Sequence, residues 1–323
     1  MKKPTVSIII ITRNRPFLLQ HCLQRVTALA YSQKEIIVVD SSTNDESQLI
    51  LAQFPEVIYL RLSGRRNNMP QARNEGIAAS TGEIIAFIDD DSMICSEWLI
   101  ALLEVYHDEQ VGAAGGRVIR QPEPYCNKRR GNPQLLVQST GIVIAKDIDL
   151  PSRGRIEVDH LIGCNMSFRR QALEEVGGFD ANYTLTNLRE ETDLCIRVKK
   201  AGWRVIYDPA IAVVHVSARA KAFFGDFPGI QYSSGRNSAY FAIKHYGLNL
   251  RTCIGQCSEV GRSMQRAAFF SALFITGVFA QVAGRVVGLG VGMAWMLSHK
   301  RKVAAAPGIG KWTSRHLSSE ASE

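Results

Sequence analysis

Three adjacent aspartates form the motif of this chain that most strongly suggests chemistry. Asp89, Asp90 and Asp91 directly follow the apolar run IIAFI, which is typical of a buried strand. Adjacent carboxylates repel one another, and a divalent cation with oxygen ligands offsets that repulsion and can bridge a diphosphate. A solvated acidic turn before a helix near Ser96 is the alternative, but the position at a strand end favours a metal site.

Polar side chains also follow two earlier predicted strands. Thr12 and Arg13 come after the run 6–11, and Asp40 ends the run 35–40. A carboxylate at that position can accept hydrogen bonds from a nucleobase or a ribose. The sequence has neither Gly-x-Gly-x-x-Gly after the first strand nor a Gly-Lys-Ser/Thr phosphate loop. A dinucleotide-binding dehydrogenase and a P-loop NTPase are therefore disfavoured.

Short β-rich runs alternate with helical patterns over the first part of the chain. Strands are predicted at 6–11, 35–40, 57–62 and 84–88. Nearly continuous apolar strands separated by helices predict an α/β fold, with a mostly parallel central sheet flanked by helices. Ligands of such sheets bind at the carboxyl ends of the strands, so the polar groups should converge on one crevice.

A second acidic group, Glu190-Glu191-Thr192-Asp193, opens a helical run that continues to Ala201. Acidic residues in a first turn complement the helix dipole, which is one interpretation. The other is that one carboxylate faces the crevice as a general base and deprotonates a nucleophile.

Six ordered segments of the sequence resemble the family 2 glycosyltransferases, enzymes with the GT-A fold. The resemblance covers roughly residues 5–247 and is carried by the segments 7–15 (SIIIITRNR), 36–45 (IIVVDSSTND), 72–92 (ARNEGIAASTGEIIAFIDDDS), 163–180 (GCNMSFRRQALEEVGGFD), 190–215 (EETDLCIRVKKAGWRVIYDPAIAVVH) and 235–247 (GRNSAYFAIKHYG). It implies an inverting transferase that uses Mn²⁺ or Mg²⁺ to move a sugar from a nucleotide-diphosphate donor to a hydroxyl group.

The resemblance also implies a role for individual residues. The donor would be bound by Thr12, Arg13 and Asp40 around the nucleobase, by Asp90 at the ribose, and by Arg73 and Asn74 beside it. Asp91 would be the metal ligand with Asp89 in support, and His215 would lie at the metal or the diphosphate. Gly163, Cys164 and Asn165 would lie beside the diphosphate and acceptor, and Glu191 would be the catalytic base. A structural histidine is the alternative for His215.

Two positions depart from the family pattern. Ser41 stands where the family has a second aspartate, which weakens the expected contacts to the nucleobase. Glu191 replaces the usual aspartate of the Glu-Asp motif and is one methylene longer. Its reference pKa of about 4.3, against about 3.9 for aspartate, allows the same chemistry. Glu190 and Asp193 are the outside candidates for the base.

The net charge of +8 is concentrated in the last third of the chain. Residues 216–323 contain 13 basic and 4 acidic side chains, whereas residues 1–215 contain 25 and 26. The pI of 9.2 raises a nucleic-acid-binding protein as an alternative. The neutral N-terminal two thirds and the lack of an aromatic-basic module argue against nucleic acid as a partner. A nucleotidyltransferase is a further alternative, although its basic, glycine-rich phosphate loop is missing.

We expect three regions: a catalytic domain at 1–250, an apolar helical segment at 251–303 and a disordered tail at 304–323. The donor half of the catalytic domain is expected at about 1–120 and the acceptor half at about 135–250. Residues 267–284 carry no charge, and lysines and arginines flank the apolar segment on both sides. This pattern favours a re-entrant or in-plane membrane segment, with Arg285 reaching the headgroups. A buried pair of soluble helices is the alternative.

Gly284, Gly288 and Gly292 repeat every four residues, which allows close helix packing within the chain or in a homo-oligomer. Seven scattered cysteines without a C-x-x-C pair favour a reducing compartment. The first apolar run reads as a strand rather than a signal peptide. Together these features place the enzyme at the cytoplasmic face of the inner or plasma membrane. The acceptor would be a saccharide or a lipid-linked molecule in envelope polysaccharide or glycolipid synthesis.

Overall fold

The structure is a computed structural model that describes residues 4–62, 68–121, 133–150, 154–216, 227–267 and 272–303. The strands are β1 (Val6–Thr12), β2 (Lys34–Asp40), β3 (Val57–Arg61), β4 (Ile84–Asp89), β5 (Ser92–Ile94), β6 (Val111–Gln121), β7 (Gln134–Val137), β8 (Val143–Lys146), β9 (Ile156–Glu157), β10 (Asn165–Arg169) and β11 (Arg204–Val216). The helices are α1 (Pro16–Thr27), α2 (Glu46–Leu51), α3 (Met69–Ala79), α4 (Trp98–Val105), α5 (Arg170–Val176), α6 (Glu190–Lys200), α7 (Phe227–Tyr246), α8 (Leu250–Ala267) and α9 (Ala272–Val303). The tail 304–323, expected to be disordered, lies outside the described residues.

A central sheet runs in the order β3-β2-β1-β4-β10-β6-β11-β5, with β9 paired to β11. The first four strands of this order are parallel, whereas β10 is antiparallel to both β4 and β6. The predicted α/β class with a mostly parallel sheet is thus confirmed. Because β1 pairs with β2 on one side and β4 on the other, the strand order reverses there, and a crevice opens at their carboxyl ends.

The strand register places the polar strand ends at one edge of the sheet. Thr12 is aligned with Asp40, and Ile11 is aligned with Asp89. The strands themselves are held by apolar burial, since Ile8, Ile9 and Ile10 are at most 1% exposed. Burying a side chain of this size stabilises the fold by about 1.5–3 kcal/mol. The sheet is therefore a rigid support for the residues that follow its strands.

Helix α3 is fixed against this sheet by local sequence. The Asn68 side chain caps its first turn by accepting a hydrogen bond from the backbone N–H of Gln71 at 3.1 Å, and Pro70 fits the turn without needing a donor. A Cβ at Gly76 would lie only 2.6 Å from Cγ2 of Ile9, so glycine permits the close approach of α3 to β1. This packing directs Arg73 towards the carboxyl end of β4.

The glycine series of α9 packs against α7 within the chain. A Cβ at Gly284 would overlap the carbonyl oxygen of Tyr232, and one at Gly288 would overlap that of Arg236. Gly235 on α7 makes the reciprocal approach to Gln281. Homo-oligomerisation stays a prediction. Because the glycine face of α9 is covered by α7 of the same chain, a second copy of the protein would have to bind another face of these helices.

We expect Gly288→Ala to destabilise the helix pair, because the added methyl group forces α9 away from α7 at a typical overpacking cost of about 1–3 kcal/mol. Gly290→Ala is the matched control, since a Cβ there has no neighbour within 4 Å. That variant should gain stability, because alanine favours a helix by about 1 kcal/mol over glycine. Thermal unfolding of both variants measures the difference. Equal midpoints would contradict the close packing of α7 and α9.

Over the side chains of α8 and α9 that the structure describes, which exclude 261–278, the polarity is reversed relative to a soluble helix pair. Polar side chains lie inside, with Thr252, Gln256, Gln281 and Arg285 between 2% and 7% exposed. Apolar side chains lie outside: Ile254, Phe279, Val282, Val286, Val287 and Met293 are between 39% and 72% exposed. Over Phe279–Met296, α9 is long and apolar enough to cross a membrane, although length and composition are the only basis for that statement.

The expectation that Arg285 reaches lipid headgroups is wrong in this structure. Its guanidinium group donates a hydrogen bond to Oε1 of Gln256 and lies 3.8 Å from a carboxylate oxygen of Glu259. Both partners belong to α8. The arginine is buried because the polar interior of the helix pair offers it these acceptors, which lipid does not.

Candidate active site

Asp90 is held at the end of β4 by two polar side chains of the first strand and its loop. Thr12 Oγ1 donates a hydrogen bond to Asp90 at 2.8 Å, and Arg15 donates one at 3.2 Å. Burial raises the pKa of Asp90 to about 6, while Arg15 and Thr12 oppose this rise. Arg13 lies next to Thr12 and is partly exposed. The sequence interpretation thus placed Thr12 and Asp90 in one site, as the structure does.

Arg15 is a site residue that the sequence reasoning missed. The same Nη1 that contacts Asp90 lies 3.0 Å from Asp91, so one guanidinium group bridges two carboxylates. The signal was present, because Arg15 ends the Thr-Arg-Asn-Arg segment that follows the first strand. It immediately precedes α1, which begins with Pro16, and this places its side chain near the aspartates.

Asp91 meets His215 across the edge of the sheet. Strand β5 pairs with β11 so that Ser92 is opposite His215, and His215 Nε2 lies 3.1 Å from Asp91 Oδ1. The neighbouring Asp91 carboxylate raises the pKa of His215. Burial alone would raise the pKa of Asp91, but the close contact with the imidazole of His215 and the charge of Arg15 lower it. Asp91 therefore remains a carboxylate at neutral pH.

Asp89, Cys164 and His215 form a cluster whose possible ligand atoms lie within 4.8 Å of one another. The family resemblance implied only that Cys164 lies in the loop beside the diphosphate and acceptor, since a scattered cysteine gives no metal-binding signal. Burial raises the pKa of its thiol well above the ordinary value, so it stays protonated in this structure. With Asp91 adjacent, the oxygen and nitrogen donors suit Mn²⁺ or Mg²⁺.

The charges around this cluster also fit a divalent cation. Five carboxylates and four guanidinium groups lie at or next to it, namely Asp89, Asp90, Asp91, Glu190 and Glu191 with Arg15, Arg73, Arg120 and Arg189. The excess of negative charge in a partly buried site is costly unless a cation compensates it. The residues present therefore fit the metal that the sequence predicts.

Arg73 is the central buried cation of the site. It is 1% exposed, forms an ion pair with Glu190, and its Nη2 lies 3.4 Å from Asp89. The same group donates to the carbonyl oxygen of Gly163 at 3.3 Å, and the guanidinium stacks 5.4 Å from the ring of Phe179. Arg73 thus connects α3, β4, the Gly163 loop and the start of α6.

An open cavity of about 240 Å³ lies over this group. It is lined by Met69, Arg73, Asp89, Val118, Arg120, Ile162, Gly163, Cys164, Thr186, Asn187, Leu188, Glu190, Glu191 and His215. Six of the residues that the sequence predicted are among them: Arg73, Asp89, Gly163, Cys164, Glu191 and His215. The structure therefore brings the proposed base to one cavity with Asp89 and His215, whereas the predicted metal ligand Asp91 is not one of the lining residues.

The other two carboxylates of the α6 motif have structural partners. Glu190 is 2% exposed and is paired with Arg73. Asp193 lies about 200° around the helix from Glu191. It is fully buried and contacts Arg197 at 2.8 Å and His245 at 2.7 Å. Glu191, partly exposed in the cavity wall, is the carboxylate of this motif best placed to meet a substrate.

Six predicted donor-binding residues do not line this cavity, namely Thr12, Arg13, Asp40, Asn74, Asp90 and Asn165. Asp40 accepts hydrogen bonds from the Ser42 backbone at 2.7 Å and from Tyr59 and Arg61 at 3.0 and 3.1 Å. Its buried carboxylate ends β2, so its contact with a nucleobase stays a prediction.

Asn74 and Asn165 use their amide groups within the protein. Asn74 forms two 2.8 Å hydrogen bonds with the backbone of Phe179. The Asn165 side chain accepts from Trp98 at 3.0 Å and donates to backbone carbonyls, including that of Ile211 at 2.8 Å. These contacts give both residues a structural role, and direct binding of a donor by them stays a prediction.

Several known proteins that are similar to this chain carry the names of glycosyltransferases. Residues 7–177 match the family described as glycosyl transferase family 2. A glucosyl-dolichyl phosphate glucuronosyltransferase of Haloferax volcanii is 26% identical over 201 residues, which cover 60% of this chain and 62% of that protein. A beta-monoglucosyldiacylglycerol synthase of Trichormus variabilis is 25% identical over 221 residues, covering 64% and 44%. The match therefore spans less than two thirds of the length of these relatives.

A solved structure has the same fold. The mannosyltransferase PcManGT from Pyrobaculum calidifontis, in complex with GDP-Man and Mn²⁺, aligns with a TM-score of 0.56 and 19% identity. The alignment covers 95% of this chain and 82% of that protein. The likeness confirms the GT-A fold expected from the sequence. The match of residues 7–177 to the family model spans more than half of the chain, and this protein is therefore a member of glycosyltransferase family 2.

Proposed function

We propose that this chain is an inverting glycosyltransferase that moves a sugar from a nucleotide-diphosphate donor to the hydroxyl group of a saccharide or lipid-linked acceptor. The observation that carries the proposal is the shared cavity of Glu191, Asp89 and His215. The alignment with a complex that holds GDP-Man and Mn²⁺ supports a nucleotide-sugar donor and a divalent cation. Membership of the family favours sugar transfer over the nucleotidyltransferase alternative.

In the proposed mechanism, Glu191 accepts the proton of the acceptor hydroxyl group while that oxygen attacks the anomeric carbon. The bond between the anomeric carbon and the diphosphate oxygen breaks, and its electron pair leaves with the diphosphate. One displacement from the opposite face inverts the configuration. Asp91 and His215, with Asp89, would hold Mn²⁺ or Mg²⁺, which when bound supplies positive charge to the leaving diphosphate.

Arg15 and Arg73 would keep this arrangement in place. Arg15 holds Asp90 and Asp91 close together despite their mutual repulsion. Arg73 fixes the carbonyl oxygen of Gly163 beside Asp89. Both act on groups that contact the donor in this proposal, so they position the site rather than take part in proton transfer.

The decisive experiment on this proposal is a donor panel. UDP-, GDP- and dTDP-hexoses are incubated with the full chain, Mn²⁺ and n-octyl glucoside, and the anomeric configuration of the product is followed by NMR. We expect EDTA-sensitive transfer or hydrolysis with one donor and an inverted product. Retention of configuration would contradict the single displacement, and inactivity of the folded protein with every donor would contradict the transferase itself.

We further propose that α8 and α9 associate with the cytoplasmic face of the inner or plasma membrane. The support is the reversed polarity of the two helices, with exposed Phe279 and Val286 and buried Gln256 and Arg285. Apolar side chains facing outward are stable in lipid, whereas polar groups need partners inside the protein. The glycolipid-related names of two relatives agree with a lipid-linked acceptor in glycolipid or envelope polysaccharide synthesis.

Val286→Glu is expected to release the chain from vesicles of phosphatidylglycerol and phosphatidylethanolamine. A carboxylate placed in hydrocarbon costs about 2.5–3.5 kcal/mol, which lowers partitioning by about two orders of magnitude. Ile100→Glu on α4 is the matched control, because Ile100 is 58% exposed and Val286 is 63% exposed. Flotation measures bound protein. Equal flotation of both variants and the wild type would contradict insertion of this face of α9.

A further inference from the structure

The segment that precedes α6 is held in an unusual backbone conformation. Leu185, Asn187 and Arg189 have φ values of 66°, 58° and 82°, the left-handed region that residues other than glycine seldom adopt. Each such residue costs about 1–3 kcal/mol and persists only where the surroundings impose it. Thr186, Asn187 and Leu188 also line the cavity that contains Glu191. The strained backbone therefore coincides with the wall of the proposed active site.

Two buried polar residues of α7 impose this conformation. Ser233 Oγ accepts a hydrogen bond from the backbone N–H of Thr186 at 3.0 Å and contacts its hydroxyl group at 2.7 Å. Asn237 donates to the carbonyl oxygen of Thr184 at 3.1 Å. Ser233 and Asn237 are both fully buried, so the α7 side of each of these bonds lies inside the protein. The loop is consequently built to present Asn187 in one orientation.

Asn187 is the residue of this loop with an unused polar atom. It is 3% exposed, and its Nδ2 donates to the carbonyl oxygen of Leu185 at 3.1 Å. That bond fixes the amide orientation, because the flipped amide would place two oxygens against each other. Among the described residues, Oδ1 of Asn187 has no hydrogen-bond partner. A buried acceptor without a partner destabilises the protein, and a ligand that donates a hydrogen bond to it removes that loss.

We propose that Oδ1 of Asn187 accepts a hydrogen bond from a sugar hydroxyl group of the substrate, and that Asn187 is a specificity-determining residue of this transferase. The inference rests on the function proposed above, and it assigns one recognition contact beside Glu191. The hydroxyl group belongs either to the sugar being transferred or to the acceptor. An amide oxygen accepts a hydrogen bond from a hydroxyl group of either molecule in the same way. The experiment below therefore tests the transferred sugar and the acceptor separately.

The test compares Asn187→Gly with Leu185→Gly. Glycine adopts positive φ without strain, so both variants keep the backbone conformation and differ in the side chain they remove. Leu185 is 53% exposed and does not line the cavity, which makes it the control for loop flexibility. Each protein is assayed with the accepted donor of the UDP-, GDP- and dTDP-hexose panel, Mn²⁺ and n-octyl glucoside. Monodeoxy forms of the donor sugar and of the glucoside are then assayed at each position.

We expect the kcat/KM of one monodeoxy compound to be about tenfold lower than that of its parent with the wild type and with Leu185→Gly. With Asn187→Gly, the two compounds should have the same kcat/KM. A deoxy donor with this behaviour assigns the contact to the transferred sugar, and a deoxy glucoside assigns it to the acceptor. Asn187→Gly with the full discrimination of the wild type would overturn the inference while leaving the transferase intact. A folded wild type that acts on no donor would instead overturn the proposed function.

Discussion

Glu191→Gln is expected to abolish sugar transfer, with a fall in kcat of about 10²–10⁴-fold or more, while the protein folds normally. The amide is nearly the same size as the carboxylate but cannot accept the proton of the acceptor hydroxyl group. Glu191 is partly exposed in the cavity wall and forms no salt bridge among the described residues, so the substitution should leave the fold intact. Donor binding, measured by calorimetry, should therefore be retained while turnover is lost.

Glu174→Gln is the matched control for this variant. Glu174 is an exposed glutamate of α5 outside the cavity, and its substitution changes the net charge by the same amount. That variant should keep wild-type turnover. Near-normal turnover of Glu191→Gln would exclude Glu191 as the base. The role would then need another group, because Glu190 and Asp193 are already committed to ion pairs.

Arg73→Met is expected to lower the free energy of unfolding by about 3–5 kcal/mol, the largest effect on stability that the site offers. Methionine keeps much of the volume beside Phe179 but leaves the buried carboxylate of Glu190 without its cation. An uncompensated buried charge is costlier than the loss of the attractive interaction alone. Urea unfolding followed by tryptophan fluorescence measures the change.

A second substitution tests the cause of this loss. The double variant Arg73→Met with Glu190→Gln has no unpaired buried charge, so it should recover part of the free energy of unfolding that Arg73→Met loses. If the two substitutions acted independently, their losses of unfolding free energy would add. Arg25→Met, at an exposed arginine of α1, is the control for loss of one guanidinium group and should change stability little. A double variant as unstable as the sum of its two single variants would show that the ion pair with Glu190 does not explain the role of Arg73.

The fold could be predicted from sequence because its strongest determinants are local. Continuous runs such as Ile8, Ile9 and Ile10 are typical of strands buried on both faces, and the helical patterns between them require parallel crossovers. The place of β10 could not be predicted from the strand pattern alone. Its antiparallel pairing with β4 and β6 depends on contacts between segments about 50–80 residues apart.

The site was predictable only as far as residue type and strand position decide it. Asp89 at a strand end was found in this way, whereas Glu191 was singled out from its acidic group by the resemblance to family 2 glycosyltransferases; the structure places both at one cavity. The bridge by Arg15 and the burial of Glu190 against Arg73 join residues 75 to 117 positions apart. Sequence spacing contains no information on which way such side chains point.

The apolar C-terminal segment shows the same limit. Its spaced glycines indicated that close helix packing was possible, within the chain or in a homo-oligomer, and in the structure Gly288 approaches the backbone of Arg236. Sequence could not show that Arg285 turns inward to Gln256 and Glu259, because that depends on which face of α9 meets α8. The resulting reversal of polarity is visible only once both helices are in place.

The most direct test of the account is calorimetric titration of the full chain with UDP, GDP and dTDP, in Mn²⁺ and in EDTA. We predict that the wild type binds one nucleotide in Mn²⁺ and loses that binding in EDTA. Asp91→Ala should not bind it in either buffer, whereas the control Asp149→Ala, at an exposed aspartate outside the cavity, should bind like the wild type. Equal binding by wild type and Asp91→Ala, unaffected by EDTA, would contradict a metal-dependent donor site at the aspartate cluster.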